Sequence, residues 1–258
     1  QDGAKDFLAG YGTNTPNIIV GDGVGGFTTS TFPVSSCRSH NVPVQNTQAI
    51  DFDGSGNRMW FRFCQGFSIQ VFEGFSQTDT ITSPFYTNDG KGRLYGKDLD
   101  LDGYDDLIFT NYDAQVYDTL NGYQTAGRVL VLKGNSQGVS GVSLSSPDLE
   151  FQGMNSGLAF SKFSEQVDFG DFNGDQGVDV IMGTEDGAYL YYGGFSLNGA
   201  VYDASNADAT FPDMKYGVKN IGDHNGDGYD DLLIGGECNH SACSGYTSPV
   251  FLFHGAPN

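Results

Sequence analysis

An acidic loop that recurs along the chain, each time running straight into an apolar strand, is the strongest constraint on how this sequence can fold. Its clearest copy is the stretch 222–236, GDHNGDGYDDLLIGG, where Asp223, Asn225, Asp227 and Asp231 take the first, third, fifth and ninth loop positions ahead of Leu232-Leu233-Ile234. Alternate side chains of a tight loop point inward, and Gly226 and Gly228 between them let the backbone turn sharply. With the carbonyl of Tyr229 at the seventh position, these side chains form a set of hard oxygen donors suited to calcium. Without a cation, carboxylates about 4 Å apart repel by roughly 1 kcal/mol per pair in water, and by more where water is thin. A single acidic turn that binds nothing is the plain alternative. Recurrence argues against it here.

Aligned on the ninth loop position, the chain divides into five units whose apolar strands open at Phe7, Trp60, Leu107, Val180 and Leu232. Each is followed by a second apolar strand that closes on glycine: NIIVG, SIQVFEG, RVLVLKG, AYLYYGG and PVFLFHG. A unit of strand, acidic loop and three further strands, repeating at this length, is a propeller blade. The expectation is an all-β, single-domain β-propeller over 1–258, with four-stranded antiparallel units at about 1–46, 47–90, 91–158, 159–212 and 213–258. Asp2, Gly3 and Asp6 match the fifth, sixth and ninth loop positions, so the first unit lacks its inner strand, and the last lacks its outer one. Three arrangements follow: a closed five-bladed ring, part of a larger propeller, or terminal strand edges that pair with a neighbouring molecule.

The loops are not equivalent. The third has Asp98, Asp100, Asp102 and Asp106 with the Tyr104 carbonyl, and Gly103 makes the turn. The fourth has Asp171, Asn173, Asp175 and Asp179 with the Gly177 carbonyl, but Gln176 replaces the turn glycine. The second has Asp51, Asp53 and Ser55, with Met59 at the ninth position and Arg58 beside it, so it is expected to be empty or weak. About three calcium sites result. The extra length of the third unit, between Asn111 and Thr125 and after Gly134, reads as polar loops.

A formal net charge of −20 argues against a nucleic-acid or anionic-membrane partner, both of which require a basic patch. No apolar run approaches the roughly 18 residues of a membrane span. Cys37, Cys64, Cys238 and Cys243 have neither zinc-ribbon nor CxxC spacing. An even count beside calcium loops suits an oxidising, extracellular setting, with pairings Cys238 to Cys243 and Cys37 to Cys64 favoured among those allowed. Asn239-His240-Ser241 is a glycosylation sequon, and Gln1 is compatible with a processed end.

These residues resemble the FG-GAP repeat family, found in integrin alpha subunits and related to VCBS repeats. Tyr216-Gly217 stands where Phe-Gly is usual, Gly222-Asp223 opens the loop, and Gly255-Ala256-Pro257 is a literal GAP. The resemblance implies calcium loops on one face of a propeller, with binding on the opposite face or between blades. About seven blades are usual in that family, against five units here.

The histidines His40, His224, His240 and His254 accompany no nucleophile motif, and the carboxylates are absorbed by metal ligation. The reading is therefore a secreted or cell-surface, non-catalytic module for protein interaction, adhesion or structural assembly. A carbohydrate-binding lectin is the alternative, using aromatic side chains such as Tyr112, Tyr117, Tyr123, Tyr191, Tyr192 and Tyr202. A polysaccharide lyase or hydrolase is a weaker one. Most of the strand aromatics, Trp60 included, are expected to fill space between blades.

Overall fold

The computed structural model describes residues 7–9, 17–21, 27–31, 47–64, 68–73, 76–82, 92–112, 114–118, 122–155, 158–159, 166–212, 214, 217–236 and 249–257. The first acidic loop, the sequon, three of the four cysteines, His40 and Tyr216 lie outside these residues, as do the side chains of Cys64, Tyr117 and Tyr123. The chain forms two compact units, one of residues 1–97, 103–109 and 132–147, the other of 98–102, 110–131 and 148–258. Within the described residues both are built of β-strands, and no helix is long and apolar enough to cross a membrane.

In the first unit β1 (Phe7–Ala9), β2 (Asn17–Gly21) and β3 (Phe27–Thr31) form an antiparallel sheet in chain order. A four-stranded antiparallel meander follows: β4 (Thr47–Ile50), β5 (Met59–Cys64), β6 (Ser68–Glu73) and β7 (Ser76–Thr82). The sequence explains its layering. Ile69, Val71 and Phe72 of β6 and Phe61 and Phe63 of β5 are wholly buried, as central strands require. By contrast, β7 reads SQTDTIT and buries only Ile81, so the outer edge is polar and resists further pairing. Next come β8 (Gly92–Lys97) and β9 (Asp106–Asn111), and β9 is buried along its whole length.

The second unit contains β10 (Gln115–Asp118), β11 (Gly122–Thr125), β12 (Arg128–Leu132), β13 (Leu149–Gln152), β14 (Met154–Asn155) and β15 (Leu158–Ala159). It continues with β16 (Gln166–Gly170), β17 (Asp179–Gly183), β18 (Gly187–Tyr191), β19 (Ala200–Tyr202) and β20 (Ala209–Pro212). It ends with β21 (Val218–Gly222), β22 (Asp231–Gly235) and β23 (Val250–Phe253). The strands β16, β17, β18 and β20 make an antiparallel four-stranded sheet, and β21, β22 and β23 a three-stranded one. Phe172, Ile181, Leu190, Val218, Leu232 and Ile234 join these two sheets into one apolar cluster.

Two details depart from the sequence reading. The stretch from Asn111 to Thr125 is not simply a loop, because β10 and β11 pair from Gln115 with Thr125 to Asp118 with Gly122. Strand-forming residues on either side, Val116 and Tyr117 before and Tyr123 after, suit this pairing, which closes with Asp118 opposite Gly122. The second departure is β19, which pairs with β13 in parallel, Leu149 opposite Ala200 and Phe151 opposite Tyr202. An aromatic cluster supports the pairing, with the Phe151 ring 5.0 Å from Tyr191 and 5.5 Å from Tyr202. Trp60 is only partly buried.

Candidate metal-binding loops

Four acidic loops, 51–59, 98–106, 171–179 and 223–231, are described throughout. In each, the first carboxylate catches backbone N–H groups further along its own loop. Asp51 accepts from Gly56 at 3.1 Å, Asp98 from Asp102 at 3.1 Å, and Asp171 from Gly174 at 2.8 Å and Gln176 at 3.0 Å. Asp223 accepts from Gly226, Asp227 and Gly228. The third position captures the fifth amide, as in Asp53 with Ser55, Asn173 with Asp175 and Asn225 with Asp227. The fifth captures the seventh amide in turn: Ser55 with Asn57, Asp175 with Gly177 and Asp227 with Tyr229. These bonds wind the loop so that its fourth and sixth residues take positive φ. The fourth residues are Gly54 (65°), Leu101 (59°), Gly174 (77°) and Gly226 (79°), and the sixth are Gly56 (78°), Gly103 (93°), Gln176 (68°) and Gly228 (96°). Leu101 and Gln176 thus occupy a conformation that disfavours a side chain.

The ninth position has a second task. Asp106, Asp179 and Asp231 begin β9, β17 and β22 and are wholly buried. Each accepts an N–H from the glycine that closes the following apolar strand: Gly134 at 2.9 Å, Gly193 at 2.7 Å and Gly255 at 3.1 Å. Asp179 also accepts from Phe172 at 2.7 Å, and Asp231 from His224 at 2.9 Å. A Cβ on Gly134 or Gly255 would lie 2.5 Å from a backbone carbonyl, so only glycine allows the approach. This is the physical reason those strands close on glycine.

The electrostatics differ between loops. Burial pushes the Asp179 carboxyl up to about 6, with Asp175 and Asp171 adding to the effect, while the Gly193 and Phe172 amides pull it back. For Asp231 burial pushes the same way, but the Gly255 and His224 amides and the His254 side chain outweigh it, leaving the group below the usual carboxylate range.

In the loop 98–106, oxygens of Asp98, Asp100 and Asp106 lie within 4.8 Å of one another. Among the described residues no other three acidic, histidine or cysteine side chains converge this closely. Asp102 falls outside the trio. In the other two loops each asparagine instead donates to a neighbouring carboxylate, Asn173 to Asp175 at 2.9 Å and Asn225 to Asp227 at 2.7 Å. The donor chemistry fits a hard divalent cation: all-oxygen, anionic sets, each with one buried carboxylate.

Sequence reasoning missed the eighth-position residues Asp105 and Asp230. The Asp105 carboxylate accepts the Asp51 N–H at 3.1 Å while its own N–H donates to the Asp51 carbonyl at 3.1 Å. Asp230 does the same to Asp171, at 3.0 and 2.9 Å. The seventh-position tyrosines join in: a Cβ on Gly54 would lie 2.7 Å from the Tyr104 ring, and one on Gly174 2.3 Å from the Tyr229 ring. A fourth tie comes from the strand-closing turn, Asn135 N–H to the Phe52 carbonyl at 2.9 Å and Ala256 N–H to the Phe172 carbonyl at 3.0 Å. The available signal was the shared GYDD of 103–106 and 228–231. In the loop 171–179 the eighth residue is Val178, which can accept no such bond.

His254, expected in a plain turn, lies with Nδ1 3.2 Å from both the Asp231 carboxylate and the Asn225 amide. It borders a cleft of about 230 Å³, lined also by Tyr192, Phe211, Asp230 and Phe253.

No protein-family model matches this chain, and no curated protein matches it by sequence. Among solved structures, the rhamnogalacturonan lyase PL11 of Bacillus licheniformis is similar with a TM-score of 0.46 and 12% identity. The alignment covers 84% of this chain, which spans about half, 47%, of the lyase. The Photorhabdus luminescens Tc holotoxin pore gives a TM-score of 0.37 and 14% identity over 96% of this chain and 11% of that one. At TM-scores below 0.5 neither likeness carries an argument about fold or activity.

Proposed function

We propose that this chain is a calcium-stabilised, extracellular β-propeller module of the FG-GAP type, non-catalytic, that presents loops to a protein partner or to further copies of itself. The observation that carries the calcium reading is the convergence of Asp98, Asp100 and Asp106 in a loop whose sequence pattern recurs at 171–179 and 223–231. Asp102 and the Tyr104 carbonyl complete the first set. Asp171, Asn173, Asp175, Asp179 and the Gly177 carbonyl form the second, and Asp223, Asn225, Asp227, Asp231 and the Tyr229 carbonyl the third. The cation supplies positive charge to the buried ninth carboxylates and fixes each turn between two strands. It performs no chemistry in this reading.

Thermal unfolding in calcium and after chelation tests the proposal. A site filled at 100 times its Kd contributes about 2.7 kcal/mol, so chelation should lower the midpoint by several degrees. An unchanged midpoint contradicts the proposal. A glycan ligand is the second reading. It is favoured by the cleft whose lining brings the aromatic residues Tyr192, Phe211 and Phe253 together with Asp230 and His254, the residue types that sugar binding uses. Binding on a glycan array that Tyr192→Ala abolishes would support it.

A further inference from the structure

The four ties between the loops 171–179 and 223–231 converge on the cation-binding parts of both. Asp230 lies between two proposed ligands of its own loop, the Tyr229 carbonyl and the Asp231 carboxylate. Through its carboxylate and its N–H it grips both sides of Asp171, the first ligand of the other loop. Asn220 holds the same Asp230 oxygen from β21 at 2.9 Å, so the carboxylate is fixed in place. The Tyr229 ring covers Gly174, which sits between the ligands Asn173 and Asp175. Gly255 donates to Asp231 while its neighbour Ala256 donates to the Phe172 carbonyl, next to Asp171. Fixing one loop therefore fixes backbone atoms of the other.

We propose that Asp230 is a positioning residue that couples calcium loading of the loop 171–179 to that of 223–231, so that the two fill as a cooperative pair. The inference rests on the calcium reading above. Asp105 forms the equivalent clasp from the loop 98–106 to the loop 51–59. There the partner has Met59 at its ninth position and is expected to bind weakly or not at all. Val178 at the eighth position of 171–179 has no side-chain acceptor for a clasp of this kind, so the loop 98–106 is expected to fill on its own.

Hydrogen–deuterium exchange of the full chain, followed over a calcium titration, reads each loop separately. In the wild type the loops 171–179 and 223–231 should gain protection at one shared calcium midpoint, and 98–106 at its own. Asp230→Ala should raise the midpoint of 171–179 about tenfold, a change of one lost hydrogen-bonded tie, and leave 98–106 unmoved. Asp230→Asn keeps an oxygen acceptor for the Asp171 N–H and should restore most of the shared midpoint. The exposed Asp227→Ala, which removes a ligand from 223–231 with little risk to folding, should also raise the midpoint of 171–179. If 171–179 responds to calcium but its midpoint stays put in both Asp230→Ala and Asp227→Ala, the coupling is wrong and the calcium reading stands. If no loop responds to calcium, the calcium reading fails and the coupling with it.

Discussion

The loops 51–59 and 171–179 have the same backbone frame and differ at its end. In both, the first side chain captures the sixth amide, the third captures the fifth, and the fifth captures the seventh. In both, the fourth and sixth residues have positive φ. At the ninth position one has Met59 and the other Asp179, both buried. The turn is thus written by three short polar side chains and two permissive positions, and it forms with or without the ninth carboxylate. That carboxylate decides something else: whether the loop is tied to the end of the next apolar strand and whether it concentrates enough negative charge to need a cation. Met59 instead adds a buried apolar side chain, as Phe52 and Phe61 do.

The largest expected effect comes from making the two alike. Asp179→Met would leave the Phe172 and Gly193 amides without their acceptor, and should lower stability by about 3 kcal/mol in equilibrium denaturation. The frame of the turn should survive, since positions one, three and five are untouched. A loss below about 0.5 kcal/mol would show that the ninth carboxylate is not a tie.

A pH experiment gives a smaller effect that only one of the two loops can show. The folded-state value of Asp179, about 6, is above the roughly 3.9 of an unfolded aspartate. Between these values the folded chain holds the extra proton, so this group's contribution falls as pH rises through that window. Calcium-free wild type should therefore gain about 2 kcal/mol relative to Asp179→Asn on going from pH 7 to pH 4. Saturating calcium should remove the difference, and the loop 51–59 has no counterpart at Met59. A flat difference between wild type and variant would contradict the assignment.

The smallest effects concern the strained positions. Leu101 occupies, at 57% exposure, the place that Gly54 fills in the loop 51–59. Leu101→Gly should raise stability by about 1 kcal/mol, and Gln176→Gly by about 0.5 kcal/mol, as relief of left-handed strain outweighs the added freedom of the unfolded chain. Destabilisation by either substitution would mean that these side chains make contacts that matter more than their backbone.

Local repetition made much of this legible. The strands expected to open at Trp60, Leu107, Val180 and Leu232 fall in β5, β9, β17 and β22, because an acidic turn ahead of an apolar run is a local signal. The spacing also marked Asp98, Asp100 and Asp106, which the fold brings together. What was not legible depends on pairing between distant segments. The parallel partnership of β13 with β19 joins residues about fifty apart, and AVY in β19 has no distinguishing pattern. Asp105 and Asp230 look like spare acidic residues beside a ligand until their partners, Asp51 and Asp171, are known. The strand-closing glycines were visible as a motif, but their reason, a carbonyl 2.5 Å from where a Cβ would sit, exists only in three dimensions.

In the proposed function the three described loops with a ninth aspartate hold calcium and the one with Met59 does not. Native mass spectrometry of the intact chain in calcium, repeated after chelation, counts the ions directly. About three bound ions are expected, one fewer in Asp106→Ala, and no change in Asp53→Ala. A chain that retains no calcium in native spectra, or loses an ion in Asp53→Ala but not in Asp106→Ala, would contradict it.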